Sequence, residues 1–121
     1  ALLPNLLAGQ QKKVLALTSR AGAFSYNTDA QAPKLPGHYF YGGSKAALNL
    51  MFVTLANDTR RQGLTVAVLS PGQVDTRGLG MTGPHIVPID KSIAGLIGVI
   101  DGLTLADSGS FRNWDGTAID W

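Results

Sequence analysis

Apolar residues occur along this chain in two kinds of run. Short unbroken runs, "KKVLALTS" at 12–19 and "LTVAVLS" at 64–70, end in small hydroxylated residues. They predict strands buried on both faces, as in a parallel sheet. Spaced runs lie before, between and after them. "ALLPNLLAG" reads as the last turns of an amphipathic helix stopped at Gly9. Leu48, Met51, Phe52 and Leu55 stand at i, i+3, i+4 and i+7 and predict a helix from about Ser44 to Gln62. Arg60 and Arg61 suit the dipole at its end, and Gly63 stops it. Asp90 is the expected N-cap of a third helix, with Ile93, Leu96, Ile97 and Ile100 in one stripe. "GSFRNWDGTAIDW" closes the chain as a strand, an Asp-Gly turn and a short tail.

Two segments lack a period. Residues 20–40 hold Gly22, Asn27, Pro33, Pro36 and Gly37 and read as one long loop, and "PGQVDTRGLGMTGP" at 71–84 as another. The order is helix, strand, loop, helix, strand, loop, helix, strand, which argues for an α/β fold with a parallel sheet. Both loops leave the ends of strands, where open α/β sheets place their ligands. A doubly wound sheet normally has more strands than the three visible here, so residues 1–121 read as a single partial domain.

Composition narrows the chemistry. With 45% hydrophobic and 15% charged residues, the chain is that of an ordinary folded domain. The net charge of +2 is slight and scattered. Lys12-Lys13 and Arg60-Arg61 are its tight basic pairs and read as solvated element ends, so nucleic acid is not an expected partner. Cysteine is absent, which excludes disulfides, thiolate catalysis and cysteine-bound metals. His38 and His85 are too far apart in sequence to suggest a zinc site. No apolar run approaches the length of about 20 residues that a membrane span needs. The start lacks both a Met and the basic region of a signal peptide, so a cytosolic piece of a longer chain is expected.

"YFYGGSKAAL" at 39–48 carries the candidate chemistry. Lys45 follows Tyr41 by four positions, so on a helix the two share a face, whereas Tyr39 meets only Gly43. An ammonium beside a phenol favours the phenolate. A tyrosine tuned in this way exchanges a proton with a hydroxyl or carbonyl oxygen. Such pairs also arise as plain structure. Ser19, at the end of the first buried strand, could hydrogen-bond the same oxygen, or it could simply cap the strand end. No G-x-S-x-G surrounds it, so it is not a nucleophile elbow.

Together, "LTSRAG", "YGGSK" and "SPGQVDT" resemble the second half of a short-chain dehydrogenase/reductase. "YGGSKAALN" and "NWDGTAIDW" are similar to its C-factor and sniffer-type carbonyl reductase subgroup. The resemblance implies the C-terminal part of a Rossmann-like doubly wound parallel sheet, with the N-terminal nucleotide-binding strands absent. It implies NADP or NAD as cofactor, a small carbonyl or alcohol substrate, and a homo-oligomer built through the long helices. It assigns Tyr41 as acid/base, Ser19 as the holder of the substrate oxygen, and Lys45 as partner of Tyr41 and of the nicotinamide ribose. Pro71, Gly72, Val74 and Thr76 would line the nicotinamide end. The stretch "DAQAPKLPG" between Ser19 and Tyr41 is longer than the family's usual spacing, and the family's glycine-rich turn after its first strand has no counterpart.

"GLGMTG" at 78–83 spells a dinucleotide fingerprint, but it neither leaves a strand directly nor opens a helix. A glycine-bearing substrate lid is the better reading. His38 and His85 are expected to face solvent from loops. Trp114 and Trp121 are expected to pack on the sheet or a partner, the Leu48 stripe to be core or interface, and Tyr39 to be packing or a substrate wall. A rival reading makes the chain a non-catalytic fragment, acting in signalling or self-association. A third reading has the fold complete itself by pairing with another copy across exposed sheet edges.

Overall fold

The computed structural model describes residues 2–32 and 38–121. Much of the expected inserted stretch, including Pro33, Pro36 and Gly37, lies outside the described residues. The elements are α1 (Leu3–Ala8), β1 (Lys13–Leu17), α2 (Phe24–Thr28), α3 (Tyr39–Thr59), β2 (Thr65–Ser70), α4 (Ile89–Gly102) and β3 (Phe111–Asn113). The three strands form one parallel sheet in the order β1-β2-β3, with Ala16 beside Val68 and Val68 beside Phe111.

Side-chain alternation along the strands sorts the helices. Val14 and Val66 share a face with Leu3, Leu6 and Leu7 of α1 and with Ala56 of α3. Ala16, Val68 and Phe111 continue that face against Leu48 and Phe52. Lys13 points the other way, and its Nζ donates to the Ile100 and Asp101 carbonyls of α4 at 2.7 and 3.0 Å. Helices therefore cover both faces, as a doubly wound sheet requires. Leu64, Val66, Val68, Leu69 and Phe111 are fully buried, and each such side chain contributes about 1.5–3 kcal/mol by leaving water.

Strand β2 is buried throughout, as its unbroken apolar run predicts. Strand β1 is not. It lies at the sheet edge, and Leu17 is 57% exposed, because a continuous apolar run cannot distinguish an edge from a centre. Beyond β3 the tail folds back around the Asp-Gly turn: Asn113 N–H donates to Thr117 and Ile119 N–H to Phe111, both at 2.9 Å.

Helix α3 starts at Tyr39, earlier than the spacing of its apolar stripe predicts. Ser44 lies inside it and donates to the Tyr41 carbonyl at 2.8 Å instead of opening the helix. The helix ends as expected, through a 3₁₀ turn over Arg60–Gln62 to Gly63 at φ +77°. The segment expected as one loop after Ser19 contains a 3₁₀ turn at Arg20–Gly22 and then α2. Helix α4 is capped by Pro88, with Asp90 already in its first turn. Leu96 of its stripe is buried, but Ile93 and Ile97 are more than half exposed. Among the described residues, no helix is long and apolar enough to cross a membrane.

Candidate active site

Ser19 continues from β1 in an extended conformation and caps the following 3₁₀ turn, its Oγ accepting from Ala21 N–H at 3.2 Å. The capping reading is therefore realised, while the hydroxyl proton stays available to an acceptor. Thr18 N–H donates to the Leu69 carbonyl at 2.8 Å, so the pairing with β2 continues up to the residue before Ser19.

The turn after Ser19 is pressed against the start of α3. A Cβ on Gly22 would come within 2.6 Å of the Lys45 carbonyl carbon, and one on Gly42 within 3.0 Å of the Ala21 oxygen. The approach at Gly22 leaves no room for a side chain and that at Gly42 is tight, so the contact explains why the helix has glycine at 42 so near its start. Buried Asn49 ties the two segments again by donating to the Gly22 carbonyl at 3.2 Å. Lys45 Nζ lies 5.8 Å from the Tyr41 ring centre and makes a long hydrogen bond, 3.5 Å, to the Leu17 carbonyl. Lys45 thus links the Tyr41 ring to the strand end that carries Ser19. Gly43 differs from its neighbour: a Cβ there would meet nothing within 4 Å.

Tyr41 is 47% exposed, and Tyr39 and Phe40 are far more open to solvent. His38 is exposed and precedes the helix, as expected, and its ring sits edge-on to Tyr41, centre to centre 5.6 Å at 65°. Sequence reasoning took His38 only as a solvent-facing loop residue and missed Asn49. The Asn49 signal was present, since Tyr41, Lys45 and Asn49 repeat at four-residue spacing on one helix face.

The loop after β2 is anchored at its root. Ser92 Oγ donates to the Pro71 carbonyl at 2.7 Å. Gly72 has φ +78°, and a Cβ on it would strike Trp114 at 2.8 Å and Val87 at 2.9 Å. Val87 N–H donates to Gln73 at 2.8 Å and Thr76 N–H to Val74 at 3.0 Å, which turns Pro71, Gly72, Val74 and Thr76 in sequence around the carboxyl end of the sheet. Within 78–83, Gly78 and Gly80 adopt positive φ, and the Asp75 carboxylate accepts from Leu79 N–H at 2.9 Å and Met81 N–H at 3.0 Å. Those amides, Leu79 first, hold the Asp75 carboxyl below its ordinary range. The fingerprint-like amides already enclose an anion of the chain itself, and no helix opens from them. Trp114 packs over Gly72 with the Lys91 ammonium 5.2 Å from its ring, and Trp121 lies 5.2 Å from Phe111 at the sheet.

Residues 1–85 match the family model described as short chain dehydrogenase. The chain belongs to that family. It is 38% identical over its full length to C-signal of Myxococcus xanthus and covers 68% of that protein. It is 37% identical to the 1-hydroxy-2-glutathionyl-2-methyl-3-butene dehydrogenase of Rhodococcus sp. (strain AD45), over 95% of this chain and 49% of that one. Among solved short-chain dehydrogenase folds, it superposes on NADPH-bound carbonyl reductase from chicken fatty liver with TM-score 0.84 and 29% identity, covering 98% of this chain and 49% of that one. The carbonyl reductase Sniffer of D. melanogaster follows with TM-score 0.76 and 30% identity, over 90% of this chain and 41% of that one. The chain therefore spans about half of most of these relatives, and the part it matches is a Rossmann-like sheet with helices on both faces.

Proposed function

We propose that this chain carries the catalytic half of an NAD(P)-dependent oxidoreductase that interconverts a small carbonyl compound and its alcohol. The supporting observation is Lys45, whose ammonium lies near the Tyr41 ring and the Leu17 carbonyl while its backbone presses on Gly22. In this reading Tyr41 donates its proton to the carbonyl oxygen during reduction and takes one back during oxidation. Ser19 donates its hydroxyl hydrogen to the same oxygen and fixes it. Lys45 favours the phenolate and offers further N–H groups to ribose hydroxyls.

The residues present fit the nicotinamide riboside end of such a cofactor. An ammonium, a phenol and a hydroxyl suit ribose hydroxyls and a carbonyl oxygen. The anchored loop of Pro71, Gly72, Val74 and Thr76 offers backbone groups to an amide. The 78–83 amides are turned onto Asp75 and do not serve a diphosphate. When bound, the nicotinamide supplies or accepts the hydride. Titrating the 121-residue chain into reduced nicotinamide dinucleotide and following its fluorescence tests the reading. Saturable enhancement or quenching at micromolar cofactor is expected, and no change up to millimolar cofactor would overturn it for this chain.

A second reading has its own observation. Leu50 and Met51 on α3 and Ile93 and Ile97 on α4 are 52–69% exposed, which suits a self-associating interaction module. Association without cofactor binding would favour it over the enzyme.

A further inference from the structure

The geometry points to His38 as a positioning residue for Tyr41, an inference that rests on the catalytic reading of Tyr41. His38 holds the N-cap position of α3, yet its side chain caps no amide there. The helix start is secured by its backbone, since the His38 carbonyl accepts from Gly42 N–H at 2.7 Å. The imidazole is thereby left for Tyr41, and it packs against that ring one helical turn on, with centres 5.6 Å apart and planes at 65°. Edge-to-face pairs of this separation are attractive and directional. On the other side along the helix, one turn further, Lys45 Nζ stands 5.8 Å from the same ring.

The reason the phenol needs such a neighbour is its exposure. Tyr41 is 47% exposed, and the flanking Tyr39 and Phe40 are 86% and 93% exposed and so give it no wall. Gly42 and Gly43 have no side chains to offer either. A half-exposed tyrosine on an open helix start would otherwise sample its rotamers freely, and misplacement of a catalytic group by about 1 Å can cost on the order of 100-fold in rate. His38 and Lys45, at i−3 and i+4, limit that freedom from both ends. His38 does so through the shape of its ring.

The test uses the 121-residue chain with ¹³C-labelled tyrosine, read by NMR with and without substitution at His38. In His38→Ala the Tyr41 ring resonances are expected to move more than those of Tyr26 or Tyr39, with loss of the contacts between the two rings. His38→Phe is expected to restore the ring contact and the restricted Tyr41 signals. Unchanged β2 amide resonances show that each variant stays folded. Where carbonyl reduction is measurable, His38→Ala is expected to lower kcat about 10-fold with KM nearly unchanged, and His38→Phe to recover it with an unaltered pH profile. Unmoved Tyr41 signals in His38→Ala would overturn the inference, and so would a phenylalanine that fails to restore them. A chain without turnover would count against the catalytic reading alone, because the NMR comparison decides His38 independently.

Discussion

Tyr41 and Gly22 show how differently two residues of the proposed site declare themselves. Tyr41→Phe removes one hydroxyl from a half-exposed ring, so the fold should survive while turnover of the complete protein falls by roughly 100- to 10,000-fold, the range of a lost proton-transfer group. Steady-state kinetics beside an unchanged thermal midpoint checks this, and a variant with full turnover would sink the assignment. Gly22→Ala should do the reverse. Its Cβ would meet backbone of Lys45 at 2.6 Å, so α3 must retreat, and overpacking of this kind costs about 1–3 kcal/mol. Urea unfolding measures that cost, and the cofactor titration should weaken with it because Lys45 moves. The Tyr41–Lys45 pair was legible in the sequence because its partners are one helical turn apart. The role of Gly22 was not, since the backbone it must admit comes from a helix far along the chain. His38 was illegible for a related reason: nothing in the sequence says whether an N-cap side chain turns to the amides or to the next ring.

The elements are held at their ends by carboxylates, and this gives them a pH dependence of known sign. Asp75 accepts from the amides of Leu79 and Met81. Asp107 accepts from both the amide and the hydroxyl of Thr104 at 2.9 Å and pairs with Arg112 at 3.1 Å. Asp115 accepts first from the Thr117 hydroxyl and then from its amide. All three carboxyls are held below their ordinary range in the folded chain. The unfolded chain binds their protons more readily. The stability they contribute is therefore complete above the ordinary carboxylate pKa of about 3.9 and lost as pH falls through the lower folded values. Replacing Asp107 with Ala should cost about 0.5–2 kcal/mol at neutral pH, the value of a capping side chain, and less below about pH 3. Denaturant midpoints at the two pH values test it; an equal loss at both would show that the carboxylate charge is not what matters. Strand β2 and the end of α3 were readable from apolar runs and Gly63. The early start of α3 was not, because tertiary contact with the Arg20–Gly22 turn overrides the poor helix propensity of Gly42 and Gly43.

At the scale of the molecule, the sheet and its helices leave apolar surface uncovered in two places. Strand β1 has no partner on its outer edge among the described residues, and its last residue, Leu17, is 57% exposed. On α4, Ile93 and Ile97 face solvent at 52% and 53%, although the helix is fixed to the sheet by Lys13 and by Ser92. An open strand edge and a helix face of this kind both favour association, one by edge pairing and the other by burial. The chain is therefore expected to self-associate as its concentration rises, and sedimentation velocity over a dilution series should resolve the equilibrium. Ile97→Lys puts a charge on the helix face while leaving the edge intact. If the helices make the contact, this variant should shift the equilibrium to monomer at a concentration where the parent chain is associated. If the β1 edge makes it, Ile97→Lys should associate like the parent, whereas Leu17→Lys should not. A parent chain that stays monomeric throughout would remove the homo-oligomer and the self-associating module together, and would leave the proposed catalytic role of Ser19, Tyr41 and Lys45 to be judged on cofactor binding alone.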